Sequence, residues 1–160
     1  MSSLSVLFSF LVALMLSSVP LPDMAVIFRP EWLMLVLIYW CIAIPDRIGI
    51  FTGWLLGLVL DVMYCSLLGQ NAVALAIVAY LVNTFHLRVR VFPLWQQSFM
   101  VFLMAIIYLA LTAWVRGVAG GFPITWTYWM PALTSALVWP FIYILLRDLR
   151  RQRVSGRGLN

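Results

Sequence analysis

The sequence predicts an all-α integral membrane protein, a single bundle of six transmembrane helices. Three observations carry that reading. The chain of 160 residues is 65% hydrophobic and 9% charged, with a mean hydropathy of +1.06. Soluble domains run about 45–50% apolar and about 25% charged, so a water-soluble globule is excluded. The apolar residues also fall into six runs punctuated by Pro, Gly and charge. Finally, all ten basic residues are arginines, and five of them (Arg147, Arg150, Arg151, Arg153 and Arg157) lie in the last fourteen positions. A spanning helix needs about 20 apolar residues, which leaves no length for a separate catalytic or nucleotide-binding domain.

The first run, 4–19, stops at Pro20 and Pro22. It lacks a basic leader and Ser17-Ser18-Val19-Pro20 is a poor cleavage site, so it reads as a retained helix and not a signal peptide. Run 32–44 ends at Pro45-Asp46-Arg47, and runs 48–68, 72–85, 94–115 and 128–146 follow. Runs 32–44 and 72–85 are short for a span, which calls for tilt or local thinning of the bilayer. Pro131 and Pro140 interrupt the sixth run, where kinks are expected. Residues 1–146 thus form one transmembrane domain, and 147–160 a basic cytoplasmic tail.

Orientation follows from the arginines. A net charge of +5 and a pI near 9.8 suit nucleic acid in a soluble protein. On a hydrophobic chain, a terminal basic cluster marks the cytoplasmic side instead. With six spans and the C-terminus inside, Arg47, Arg88, Arg90 and the five tail arginines are cytoplasmic, and only Arg29 and Arg116 are outside. Arg147, Arg150, Arg151 and Arg153 then act as a cytoplasmic anchor against membrane lipids. Trp32, Trp95, Trp114, Trp126 and Trp129 fall near segment ends, where amphipathic rings favour the interface.

Candidate functional residues concentrate in the third run. Gly49, Gly53, Gly57 and Asp61 recur every four residues and share one helix face. Ser5, Ser9, Ala13 and Ser17 form a second small-residue face, and Ala72, Ala76, Ala79 and Asn83 a looser third. Small residues let backbones approach closely in lipid, either within the bundle or against a partner's helix. Asp61 is costly at membrane depth unless paired. It reads as a polar clamp to Ser, Thr or Asn on a neighbouring helix, as a proton or ligand site, or as a residue near the outer interface. A clamp needs hydrogen bonds but no charge, so on that reading Asp61→Asn keeps function. The stretch Phe28-Arg29-Pro30-Glu31-Trp32 predicts an ordered outer loop, with Pro30 fixing its backbone. Cys41 and Cys65 sit in apolar runs as small hydrophobes, and His86 reads as an interfacial residue. No HExxH, GxSxG, Walker A or dinucleotide motif is present, so neither an enzyme nor a cofactor is expected.

The ordered motifs resemble the MreD family of bacterial rod shape-determining proteins. They are Phe28-Arg29-Pro30-Glu31-Trp32, Tyr39-Trp40, the stretch from Gly53-Trp54 to Leu60-Asp61, Leu68-Gly69, Ala79-Tyr80-Leu81-Val82, Leu94-Trp95-Gln96-Gln97 and Leu137-Val138-Trp139-Pro140. The first helix and the tail match in character alone. The resemblance implies a non-catalytic inner-membrane component of the cell-elongation machinery. It implies direct transmembrane contact with MreC, and a complex with MreB, RodA and a class B penicillin-binding transpeptidase that controls peptidoglycan synthesis. It also implies a six-helix fold similar to the S-components of energy-coupling-factor transporters, with binding of a small molecule or lipid as the alternative function.

Overall fold

The computed structural model describes residues 3–121 and 123–155, with side chains as far as Gln152. Its helices are α1 (Ser3–Ser18), a single turn α2 (Asp23–Val26), α3 (Trp32–Ala43), α4 (Ile50–Met63), α5 (Gln70–Val91), α6 (Leu94–Val118) and α7 (Met130–Ser155). A 3-10 turn, Trp126–Trp129, leads into α7. Strands are absent among the described residues. Three helical stretches, Gln70–Val91, Leu94–Val118 and Trp126–Gln152, are long and apolar enough to cross a membrane, while Ser3–Ser18, Trp32–Ala43 and Ile50–Met63 are apolar but shorter.

The short helix α3 is the axis of the bundle. Residues 33–42 are all buried, as expected of a helix that is hydrophobic on every side. It packs on α1, α5, α6 and α7. Twelve residues make it about 18 Å long, too short for the hydrocarbon layer, so its ends meet protein. At its N-terminal end the Glu31 N–H donates to Ser135 Oγ of α7 at 3.0 Å. At its C-terminal end Arg90 of α5 donates to the Ile42 and Ala43 carbonyls at 2.8 and 3.4 Å. On one flank, Trp40 Nε1 donates to Ser9 Oγ of α1 at 2.8 Å. On the other, Gln97 of α6 donates to the Val89 and Phe92 carbonyls and accepts from Trp139 Nε1 of α7.

Several features differ from the sequence expectation. The third run breaks off at Met63, five residues before the expected end at 68. There Cys65 takes a left-handed φ of +49° and the Ser66 N–H returns to the Asp61 carbonyl at 3.0 Å, the closure of a Schellman-type end. The fourth runs on past 85 through His86, Arg88 and Arg90 and stops just before Pro93, which lacks the N–H to continue it. The sixth is not interrupted at Pro131, because Pro131 lies in the first turn of α7, where its missing N–H costs nothing. Pro140 lies inside the continuous helix. That helix carries on into the expected tail, so 147–155 is helical; the Arg153 side chain and Arg157 lie outside the described residues. Cys41 is buried, but Cys65 is exposed on the turn.

The glycine face is spent inside the bundle, where α4 lies along α5. A Cβ on Gly57 would fall on the Cα and N of Ala72 and 2.5 Å from the Asn71 carbonyl oxygen. On Gly53 it would stand 2.8 Å from the Leu75 carbonyl oxygen, and on Gly49 2.9 Å from Asn83 Nδ2. The third small-residue face, Ala72, Ala79 and Asn83, is what α4 meets. In an open helix Gly→Ala stabilises by about 1 kcal/mol. Gly57→Ala is expected to do the reverse, lowering stability by about 1–3 kcal/mol through overpacking. Gly117→Ala on α6, where nothing lies within 4 Å of the added carbon, is the neutral or stabilising control. Thermal unfolding of both variants in detergent checks the contrast, and equal melting temperatures would refute a backbone contact at Gly57.

Candidate functional site

Asp61 ends the glycine face and is 1% exposed. The α4–α5 turn wraps its carboxylate in donors. Oδ1 accepts from Ser66 Oγ at 2.9 Å, the Asn71 N–H at 3.0 Å and Asn71 Nδ2 at 2.9 Å. Oδ2 accepts from the Gly69 N–H at 2.8 Å and the Ala72 N–H at 3.4 Å. The carboxylate therefore caps the first turn of α5, whose N–H groups have no partner within the helix, and a negative charge there also meets the positive end of the helix dipole. Of the readings open in the sequence, the geometry is that of a clamp, made to the start of the next helix in the chain. Asn71 passes the connection on, since its Oδ1 accepts from Tyr108 Oη of α6 at 2.6 Å.

Tyr108 and Asn71 open onto a polar cleft of about 360 Å³, bounded by the loop before α3, the α4–α5 turn, the end of α6 and the 3-10 turn before α7. Arg29 donates to Tyr64 Oη at 3.0 Å, and Tyr64 Oη donates to the Ser17 carbonyl at 3.2 Å. Arg116 lies over the Tyr128 ring at 5.9 Å. Tyr128 Oη in turn donates to the Leu109 carbonyl at 3.0 Å and lies 2.6 Å from Thr112 Oγ1. The half-buried Glu31 faces this cleft without an ion pair to either arginine. Burial pushes its carboxyl up to about 7, against the pull of Arg29 and Arg116. A second lobe of about 520 Å³ shares Arg116, Thr125 and Tyr128, and the buried Gln70 Nε2 on its wall has no hydrogen-bond partner. Two guanidinium groups, one carboxyl and several hydroxyls suit the recognition of a polar group.

The sequence-derived residues part company here. Gly49, Gly53, Gly57 and Asp61 form one device along α4 and α5. Ser9, Ala13 and Ser17 are buried against the rest of the bundle, with Ser5 only partly buried. Arg29, Pro30 and Glu31 line this polar cleft, while Trp32 begins α3 and packs on its core. Arg147, Arg150 and Arg151 stand at the opposite end. Sequence reading missed Asn71, Tyr108, Thr112, Arg116 and Tyr128. One signal was available: polar residues at 71, 108 and 112 inside or beside apolar runs, which on a membrane helix ask for partners.

The clamp changes what Asp61→Asn should do. Every neighbour of the carboxylate is a donor, so the amide NH₂ of asparagine must face N–H groups at one of the two oxygen positions. Loss of those bonds in a buried site costs about 1–3 kcal/mol. Both Asp61→Asn and Asp61→Leu are expected to melt earlier and to fall in membrane level, which thermal unfolding and immunoblotting measure. An Asp61→Asn protein with wild-type melting but lost cell-shape function would assign Asp61 a binding role instead.

Glu31 gives a pH signature. Its folded-state carboxyl titrates near 7 against an ordinary value of 4.5, so the folded state favours the protonated form. Stability from this group is present below about 4.5 and is lost as pH rises through about 7. Glu31→Gln is expected to match wild type at about pH 5 and to melt a few degrees higher at about pH 8. Parallel melting curves at both pH values would refute the buried, unpaired carboxyl.

The sequence profile of the family described as rod shape-determining protein MreD matches residues 1–149. The rod shape-determining protein MreD of Haemophilus influenzae is 34% identical over 148 residues, covering 92% of this chain and 91% of that one. No solved structure matches the chain. The resemblance read from the ordered motifs is therefore met by similarity along nearly the whole length: the chain belongs to the MreD family of membrane proteins that determine rod shape.

Proposed function

We propose that the protein is a non-catalytic scaffold of the cell-elongation complex in the bacterial inner membrane. All six apolar helices cross or enter the bilayer, with both termini cytoplasmic as the arginine distribution favours. The single transmembrane helix of MreC docks on its outer surface, and through MreC the protein acts on peptidoglycan synthesis by RodA and a class B penicillin-binding transpeptidase, alongside MreB.

The observation that carries this reading is an apolar groove of about 200 Å³ between α1 and α7, floored by α3 and walled by Phe8, Val12, Leu16, Val36, Ile142 and Leu145. The glycine face of α4 is already occupied by α5, so it leaves no room for a partner. α1 packs chiefly on α3, which keeps its side toward α7 free, and the exposed Phe8, Val12 and Leu16 on that side offer another helix an apolar surface to pack on. The polar cleft supports the alternative, an S-component-like protein that binds a small polar molecule, because its Glu31 carboxyl and Gln70 amide are left unpaired.

Coexpression with MreC decides between them. Leu16→Ala/Leu145→Ala is expected to reduce MreC copurification several-fold and to round the cells, while Phe51→Ala/Trp54→Ala, on the exposed side of α4, leaves both unchanged. Equal copurification from the two variants would refute the groove. A small molecule that copurifies with wild type and is lost in Glu31→Gln would favour the alternative.

A further inference from the structure

The bundle carries a second concave site at the end opposite the polar cleft. There the C-terminal ends of α3, α5 and α7 enclose about 690 Å³, lined by Tyr39, Arg90, Tyr143, Arg147, Arg150 and Arg151. On α7 the residues at 143, 147, 150 and 151 recur at i, i+4, i+7 and i+8 and so share one face. They point the same way because the helix continues unbroken beyond its apolar part.

The fold engages these side chains but neutralises little of their charge. Arg90 caps α3 through the Ile42 and Ala43 carbonyls, and the Arg150 guanidinium reaches the Tyr39 hydroxyl. Arg147 meets Asp148 at 3.7 Å, with both side chains about half exposed, a contact of little strength. Among the described residues no other ion pair forms, so four guanidinium groups share one cleft with a single neighbouring carboxylate. Concentrated like charge of this kind repels itself unless an anion joins it.

The surroundings say which anion. Immediately before the arginines, α7 exposes Phe141 and Ile144, and Ile144 lies one turn before Arg147 and two before Arg151 on the same side of the helix. Tyr39 and Tyr143, edge to face at 5.7 Å between ring centres, form an amphipathic wall at that boundary. A ligand that satisfies both surfaces is anionic at one end and apolar at the other. Arginine forks match phosphate oxygens bidentately, and basic pockets between membrane helices suit phospholipid headgroups. We propose that this cleft is a binding site for the phosphodiester headgroup of an anionic phospholipid, whose acyl chains lie along the exposed face of α7. The site holds a boundary lipid in a fixed place at the ends of α3, α5 and α7, and does not depend on how MreC binds.

Native mass spectrometry of the full chain tests this, with cardiolipin, phosphatidylglycerol and phosphatidylcholine supplied in turn as probes. Wild type is expected to retain cardiolipin and phosphatidylglycerol and to release phosphatidylcholine. Arg147→Gln/Arg150→Gln is expected to lower retention by about tenfold or more. Arg47→Gln/Arg88→Gln removes the same charge elsewhere and should leave retention unchanged. Arg147→Lys/Arg150→Lys, which keeps the charge without the fork, should retain an intermediate amount. Equal losses in the two glutamine variants would overturn the site, because net charge alone would then explain binding. Displacement of cardiolipin by millimolar inorganic phosphate would overturn the lipid assignment in favour of a soluble phosphate ligand.

Discussion

A helix that ends at membrane depth cannot leave its terminal N–H and C=O groups to water, and unsatisfied backbone groups in hydrocarbon cost several kcal/mol each. A helix end enclosed by protein meets the same constraint, and it governs α3, whose 12 residues lie inside the bundle. The structure answers it with side chains from longer helices. Ser135 of α7 and Arg90 of α5 meet the two ends of α3. Asp61 meets the start of α5, and the αL turn at Cys65 closes the end of α4. The long helices thus complete the hydrogen bonding of α3, while the short α4 closes its own end and caps the long α5.

The glycine face and the Asp61 clamp are one solution to that problem. Capping α5 with a carboxylate from α4 requires the two backbones to run close enough for a short side chain to reach. Gly57 and Gly53 provide the approach on the same face, one and two turns earlier. Separation of the helices by a single methyl group at Gly57 would draw Oδ2 away from Gly69 and Ala72. The consequence continues along the bundle: Asn71, held by Asp61, positions Tyr108, and Tyr108 forms part of the polar cleft beside Arg29 and Glu31. Cleft shape is therefore tied to helix packing one turn below it.

Periodicity exposed a good part of this in the sequence. The all-helical class, the starts of α3 and α6 and the four-residue series from Gly49 to Asp61 were legible because each depends on residues near in the chain. Other features depend on distant residues and left no local trace. Leu67 and Leu68 are apolar enough to extend the third run, yet they lie in a turn dictated by Cys65, Ser66 and the Asp61 carbonyl. His86, Arg88 and Arg90 look like the end of a span, but Arg90 is held in a helix because α3 needs a cap. The polar cleft joins positions 29, 71, 108 and 128, which no spacing rule connects. Asp61 was legible as a residue needing partners, but not the all-donor shell that makes the carboxylate, and no amide, fit there.

The two ends of the bundle are built from different balances of charge, and that difference follows from the same short helices. Because α3 begins and ends inside the protein, a recess is left at each of its termini. At the N-terminal end the recess collects chain from four segments, so it holds groups of both signs and hydroxyls, with Glu31 caught between two arginines it does not contact. At the C-terminal end it is closed by α5 and α7, which bring Arg90, Arg147, Arg150 and Arg151, so every charged group on its wall is an arginine. A polar group of mixed charge fits the first recess and an anion fits the second. Sorting by chemistry at opposite faces of one small bundle thus arises from the length of α3 rather than from any added domain.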